Sequence, residues 1–160
     1  MAVLVIAEHD NNILKTSTLN TITAAAKLSD DIHLLILGKD IETLSNNAKT
    51  IHPIKKVLKC DNSKLENFIP ELSAPIISNI ANGYSHILAP ASTFGKNLLP
   101  RVSALLDVTQ ISDVIEIKSE NTFVRPIYAG NAISHVETNQ NINLLTIRPT
   151  SFEKCEETGG

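Results

Sequence analysis

The sequence predicts an α/β domain in three layers: a mostly parallel sheet, helices on both faces, and an antiparallel C-terminal portion. Three observations carry this. Apolar runs of strand length, such as Val3–Ala7, His33–Leu37 and Ser85–Ala89, alternate with segments of helical period. Apart from polar residues at their starts, those runs are continuously apolar instead of alternating with polar residues, as in strands covered on both faces. Finally, 160 residues with 42% hydrophobic content suffice for the core of one domain.

Taken in order, Val3–Ala7 is the first strand. After the turn-forming Asp10, Asn11 and Asn12, the residues Leu14, Leu19, Ile22, Ala25, Ala26 and Leu28 fall near one helical face. Ser29-Asp30-Asp31 ends that helix, His33–Leu37 follows as a central strand, and Gly38 turns the chain into a short helix over 41–49. Lys55–Cys60, with its lysines beside Val57 and Leu58, reads as a half-exposed strand near a sheet edge. Helical segments fill 63–82, with Pro75 placed where a helix could begin, because a proline at the first helical position loses only a donor that would be unpaired anyway. Ser85–Ala89 is a fourth buried strand, leading through Pro90-Ala91-Ser92-Thr93 into a helix over 95–106. From Gln110 the texture turns to strands: 111–117, a turn at Ser119-Glu120-Asn121, 122–128, and 142–147. These are expected to be antiparallel.

The core must be aliphatic, because aromatic residues make up 4% and Trp is absent. A net charge of −3 gives no electrostatic footprint for nucleic acid or an anionic membrane. The apolar runs are far shorter than the roughly 20 residues needed to cross a bilayer. Met1 runs straight into Ala2-Val3-Leu4 without a basic leader, so no targeting segment is expected. Cys60 and Cys155, the only two cysteines, are distant in sequence and form no CxxC, which fits a reducing compartment.

The familiar chemical motifs are absent. Thr93-Phe94-Gly95-Lys96 resembles part of a phosphate-binding loop, but Pro90 and Asn97 stand where its first Gly and its hydroxyl should be. No GxGxxG or GxSxG occurs, and the five histidines lack metal-ligand spacing. His33 and His86, at strand starts, read as structural histidines. The lysines at 49, 55, 56, 59 and 64 are interrupted by acids and lack interleaved aromatics, so they form a solvated face. Gly95 has two readings, a turn-and-cap residue or a ligand or interface contact. Arg101 and Arg125 are open between capping carbonyls or pairing with Asp107 or Asp113, and contacting another subunit.

Several longer blocks together carry a family resemblance. Residues 93–102 (Thr-Phe-Gly-Lys-Asn-Leu-Leu-Pro-Arg-Val), 106–114 (Leu-Asp-Val-Thr-Gln-Ile-Ser-Asp-Val) and 122–132 (Thr-Phe-Val-Arg-Pro-Ile-Tyr-Ala-Gly-Asn-Ala) closely resemble the N-terminal domain of electron transfer flavoprotein alpha subunits. The opening 3–9 and closing 148–152 match as well, so the resemblance spans essentially the whole chain. It implies a Rossmann-like fold of the adenine nucleotide alpha hydrolase-like kind over 1–150, with 151–160 as the start of a linker to an FAD-binding domain lying outside these residues. It further implies a heterodimer with a beta subunit, one FAD per dimer and AMP in the beta subunit. Such a heterodimer carries single electrons from acyl-CoA and other flavin dehydrogenases, as in fatty acid oxidation, to a quinone oxidoreductase. The compartment would be the bacterial cytoplasm, or the mitochondrial matrix in a eukaryote. No catalytic, FAD or metal residue of the family falls in this chain. On the resemblance, Gly95, Lys96, Arg101, Arg125, Tyr128 and Asn131 are expected to act through packing and through domain or subunit contacts. A different class of reading is a stand-alone adenine-nucleotide-binding module of universal-stress type. That module's glycine-rich phosphate motif is not found after the fourth strand.

Overall fold

A computed structural model describes residues 1–157. Strand β1 (Ala2–Ile6) is followed by α1 (Thr16–Ala25), β2 (Ile32–Gly38), α2 (Glu42–Ala48), β3 (Ile54–Asp61), α3 (Pro70–Ile80), β4 (Tyr84–Pro90) and α4 (Thr93–Leu106). Five strands complete the chain: β5 (Gln110–Val114), β6 (Glu116–Ile117), β7 (Thr122–Ile127), β8 (Ala132–Glu137) and β9 (Asn143–Ile147). A six-stranded sheet has the order β3-β2-β1-β4-β9-β5, and all its pairings are parallel. Strands β6-β7-β8 form a separate antiparallel sheet. The α/β fold class is as expected, and β3 is an edge strand.

Successive side chains of a strand point to opposite faces, and β1 divides the core accordingly. Val3 and Val5 join Leu19, Ile22, Leu44 and Ala48 of α1 and α2 on one face. Leu4 and Ile6 join Ile77, Leu98, Leu99 and Val102 of α3 and α4 on the other. Because β1 is buried at every position, its sequence shows no alternation even though its packing does.

Three expectations need correction. The last strand is not antiparallel: β9 inserts between β4 and β5, parallel to both, and is buried along its whole length. An apolar run covered on both faces carries no mark of its direction. Pro75 does not begin a helix; Pro70 opens α3, and Pro75 lies inside it. A proline fits the first turn at either place, but only the residue after the extended Ile69 supplies a start. Third, the strand expected over 111–117 is broken into β5 and β6, with Asp113 in the left-handed region at φ 61°. Arg148 forms a two-pronged pair with that Asp113 carboxylate, and Asp113 N–H donates to Thr146 Oγ1 at 2.8 Å, so the bend is anchored to β9. The pairing holds the Arg148 guanidinium above its ordinary value, the hydrogen bond it donates to the Asp113 carboxylate being the main cause.

Residues 152–157 pack back on the domain: Asn20 Nδ2 donates to Phe152 O at 2.7 Å, and Phe152 and Cys155 lie against the α1 side of the core. Burial pushes the Cys155 thiol up to about 11, keeping it protonated at neutral pH. Thr158–Gly160, the end of the expected linker, lie outside the described residues.

Candidate functional site

Chain order and sheet order together locate a crevice. From β1 the chain runs outward to β2 and β3, whereas β4 lies on the opposite side of β1 and leads to β9 and β5. Ligands of open α/β sheets sit beyond the carboxyl ends of the strands where the winding reverses, here between β1 and β4. A cavity of about 300 Å3 lies there, lined among others by Glu8, His9, Lys15, Phe68, Thr93 and Phe94.

Glu8 follows β1 and is 7% exposed. Its Oε2 accepts from Ser17 Oγ at 2.8 Å and from Ser92 Oγ at 2.8 Å, and its Oε1 accepts from Lys15 Nζ at 3.3 Å. The backbone of Glu8 is held as firmly: its N–H donates to Thr18 Oγ1 at 2.8 Å, and its carbonyl accepts from the same hydroxyl. A buried carboxylate is tolerated only when its oxygens are hydrogen-bonded, and this one is.

His9 is likewise spoken for. Nε2 lies 3.0 Å from Leu37 O, a pure acceptor, while Asn11 N–H, a pure donor, lies 2.9 Å from Nδ1. Only the neutral ring with its proton on Nε2 satisfies both. Burial is the main cause that lowers the His9 value from 6.5, partly offset by the Leu37 hydrogen bond. The ring meets Phe68 edge-on at 4.8 Å, and Phe68 meets Phe94 edge-on at 6.2 Å, which makes one wall of the crevice aromatic.

The sequence-nominated residues are fixed to different elements. Gly95 lies in the first turn of α4, and a Cβ there would overlap the carbonyl oxygen of Pro90. It is therefore a close-approach residue that lets α4 sit on the end of β4, not a turn or cap. Lys96 is exposed beside it. Arg101 pairs with Glu71 of α3 at 2.6 Å, not with Asp107 or Asp113. Arg125 Nε donates to the carbonyl of Ser112 in β5 at 2.7 Å, a capping contact. Tyr128, 79% exposed, and Asn131, also exposed, bracket the turn between β7 and β8, where Tyr128 and Ala129 both have positive φ.

Glu8 and His9 are the residues that sequence reasoning missed as site residues. Their signal was positional: a polar pair directly after a wholly apolar strand, followed by Lys15 and Ser17 at the next helix start. His86 behaves as a structural histidine. Its Nε2 donates to Glu120 O at 2.7 Å, and burial is the main cause lowering its value from 6.5. His33 bridges the Tyr84 hydroxyl and Asp31. No cluster of metal-ligating side chains occurs among the described residues. None of the described helices is long and apolar enough to cross a membrane.

These residues do not fit a flavin dinucleotide. A diphosphate in the crevice would need the lysine and both hydroxyls that the Glu8 carboxylate already engages.

The electron transfer flavoprotein domain model matches residues 3–160. The chain is 47% identical over its full length to the electron transfer flavoprotein subunit alpha of Pseudomonas aeruginosa, covering 52% of that protein. It is 44% identical to the mitochondrial alpha subunit of Dictyostelium discoideum, with 98% of this chain and 46% of that protein aligned. With a probable mitochondrial alpha subunit of Caenorhabditis elegans the identity is 42%, over 98% of this chain and 48% of the relative. The chain thus spans about half the length of these curated relatives. The match along nearly all 160 residues, on a Rossmann-like domain, means that this chain belongs to the electron transfer flavoprotein family.

Proposed function

We propose that the chain is the N-terminal scaffold domain of an electron transfer flavoprotein alpha subunit. In this reading it pairs with a beta subunit and supports a heterodimer that carries electrons from flavin dehydrogenases to a quinone oxidoreductase. It turns over no substrate of its own. The FAD is held by the remainder of the alpha subunit and AMP by the beta subunit. The compartment is the bacterial cytoplasm or, as the names of two relatives indicate for those proteins, a mitochondrion.

One observation supports a scaffold over a ligand-binding module: the polar groups of the switch-point crevice are satisfied from within, whereas the small sheet presents Tyr128 and Ile133, 79% and 54% exposed, to an outside surface. Tyrosine is among the residues that most often anchor protein interfaces. Gly95 and Arg101 contribute by fixing α4, Arg125 by fixing the small sheet to β5, and Lys96, Tyr128 and Asn131 by direct contact.

The test is coexpression of the complete alpha and beta subunits carrying Tyr128→Ala with Ile133→Ser, and separately Arg125→Gln. Reduced recovery of heterodimer, and of the flavin bound to it, is expected with an unchanged fold of this domain. Full assembly and full flavin retention in all variants would remove the contact role.

A further inference from the structure

We infer that the cavity between the starts of β4 and β9 and the turns flanking the small sheet binds a small primary ammonium ion, whose N–H groups are met by the Asn143 side-chain oxygen. The inference rests on this cavity and not on the subunit role.

The cavity, of about 270 Å3, is lined among others by Ser85, His86, Glu120, Asn121, Asn139 and Asn143. Ser85 and Asn143 stand at the beginnings of their strands, so it lies at the opposite end of the sheet from the crevice beyond β1. A water's share of liquid volume is about 30 Å3, which leaves room for more than a single bridging water.

The first observation is an orphaned acceptor. Asn143 and His86 are register partners on neighbouring strands. Asn143 is 6% exposed, and its buried Oδ1 has no hydrogen-bond partner among the described residues. Its Nδ2 faces the other way, 3.5 Å from Glu120 O. Reversing the amide would set Oδ1 against that carbonyl, acceptor against acceptor, so the group left over is an oxygen. A buried acceptor without a donor costs free energy, and a molecule that brings one recovers it.

The second observation is the proton order next to it. His86 Nε2 donates to Glu120 O at 2.7 Å, which leaves Nδ1 as an acceptor. Ser85 Oγ, 2.9 Å from Nδ1, therefore gives its proton to the ring and keeps only lone pairs. Ser85 and Asn143 both call for a donor from outside.

The third observation is charge. Glu120 lines this cavity, and Glu137 lines an adjoining one that shares Asn121 and Asn139 with it. Among the described residues lining either there is no lysine or arginine. The Met1 ammonium is the smallest of the influences on His86 and lines neither cavity. Free acceptors beside carboxylates, in a site without basic side chains, match a cation that carries its own N–H groups. A bare metal ion fits less well, since calcium takes about six or more oxygens at once.

Titration of the chain with methylammonium and with ethylammonium, followed by calorimetry and by the Asn143 side-chain amide resonance, tests this. Tetramethylammonium, with the charge but no N–H, and glycerol, with hydroxyls but no charge, are the controls. The amines should bind saturably with a dissociation constant of about 10 mM or tighter and shift that resonance. Both controls should bind at least about tenfold more weakly. Asn143→Leu, similar in volume but without the acceptor, should lose at least about tenfold in amine affinity. Glu120→Gln combined with Glu137→Gln should weaken binding about threefold, and raising the salt should act in the same direction. The inference is overturned if neither amine binds saturably, which would leave the cavity to water. It is equally overturned if tetramethylammonium or glycerol binds as tightly as the amines, or if folded Asn143→Leu keeps the native affinity. Should Asn143→Leu not fold, the doubly substituted glutamate variant decides: native affinity there overturns the inference, and weakened affinity with a shifted Asn143 resonance supports it. None of these outcomes bears on subunit assembly, which the coexpression experiment reads separately.

Discussion

The six-stranded and three-stranded sheets handle their surfaces in opposite ways. In the large sheet, β1 and β9 are buried at every position, and even the crevice beyond β1 has its carboxylate and imidazole bonded internally. In the small sheet, β8 alternates between half-buried and exposed residues, and the turn before it exposes Tyr128. The comparison teaches that, in this domain, the two sheets differ in how completely their side chains are covered. The sheet whose fold usually binds ligands is closed, and the appended sheet is open.

The sharpest test pits one aliphatic residue of each sheet against the other. Leu34 is fully buried in β2, and Leu34→Ala should cost about 2–5 kcal/mol in chemical denaturation. Ile133→Ala, at a position 54% exposed, should stay within about 0.5 kcal/mol. Equal losses would erase the distinction.

Next in size is the junction of β4 and α4. Gly95→Ala forces a methyl group against the Pro90 carbonyl, a backbone atom that cannot rotate away, and should cost about 1–3 kcal/mol by the same assay. A melting temperature equal to that of the native chain would show that the helix can lift off the strand freely.

A smaller effect is acid sensitivity. His9 and His86 both have folded-state values lowered from 6.5, mainly by burial. The unfolded chain therefore takes up protons first, so the stability held through these neutral rings is complete above about 6.5. It is lost as pH falls from there toward the lowered values, with a slope of at most about 1.4 kcal/mol per pH unit for each ring. Urea midpoints measured on both sides of pH 6.5 should show the decline, and His9→Gln should flatten it.

A small change is also expected from Arg101→Gln. The Arg101–Glu71 pair is about half exposed on both sides, so its loss should cost no more than about 1 kcal/mol. A larger loss of stability would place Arg101 among the packing residues.

Most of the large sheet was legible because long apolar runs of Val, Leu and Ile announce buried strands. Pairing order was not: β9 looks like any other buried run, and only its place between β4 and β5 makes it parallel. Strand β8 escaped because Ala132, Ser134 and Val136 form its inner row, too small and too polar in the middle to read as a strand face. At the site, Gly95 was visible as a residue but its reason was not, since the overlap with Pro90 exists only once α4 lies on β4. The role of Glu8 was illegible for a similar reason: Ser92 meets it across 84 positions of sequence.

The position of β9 also has a consequence for synthesis. Within the large sheet, β5 pairs with β9 alone, and β9 is the last strand to be made. As the chain leaves the ribosome, β1 through β4 and their helices can assemble, but β5 has no slot in that sheet until residue 147 emerges. The small sheet, threaded between β5 and β9, pairs only within itself and is complete in sequence before β9 emerges. A nascent chain stalled before β9 should thus hold a half-built sheet with an open β4 edge, a natural point of engagement for chaperones. Emergence of five residues, Asn143–Ile147, would then seal it in one step.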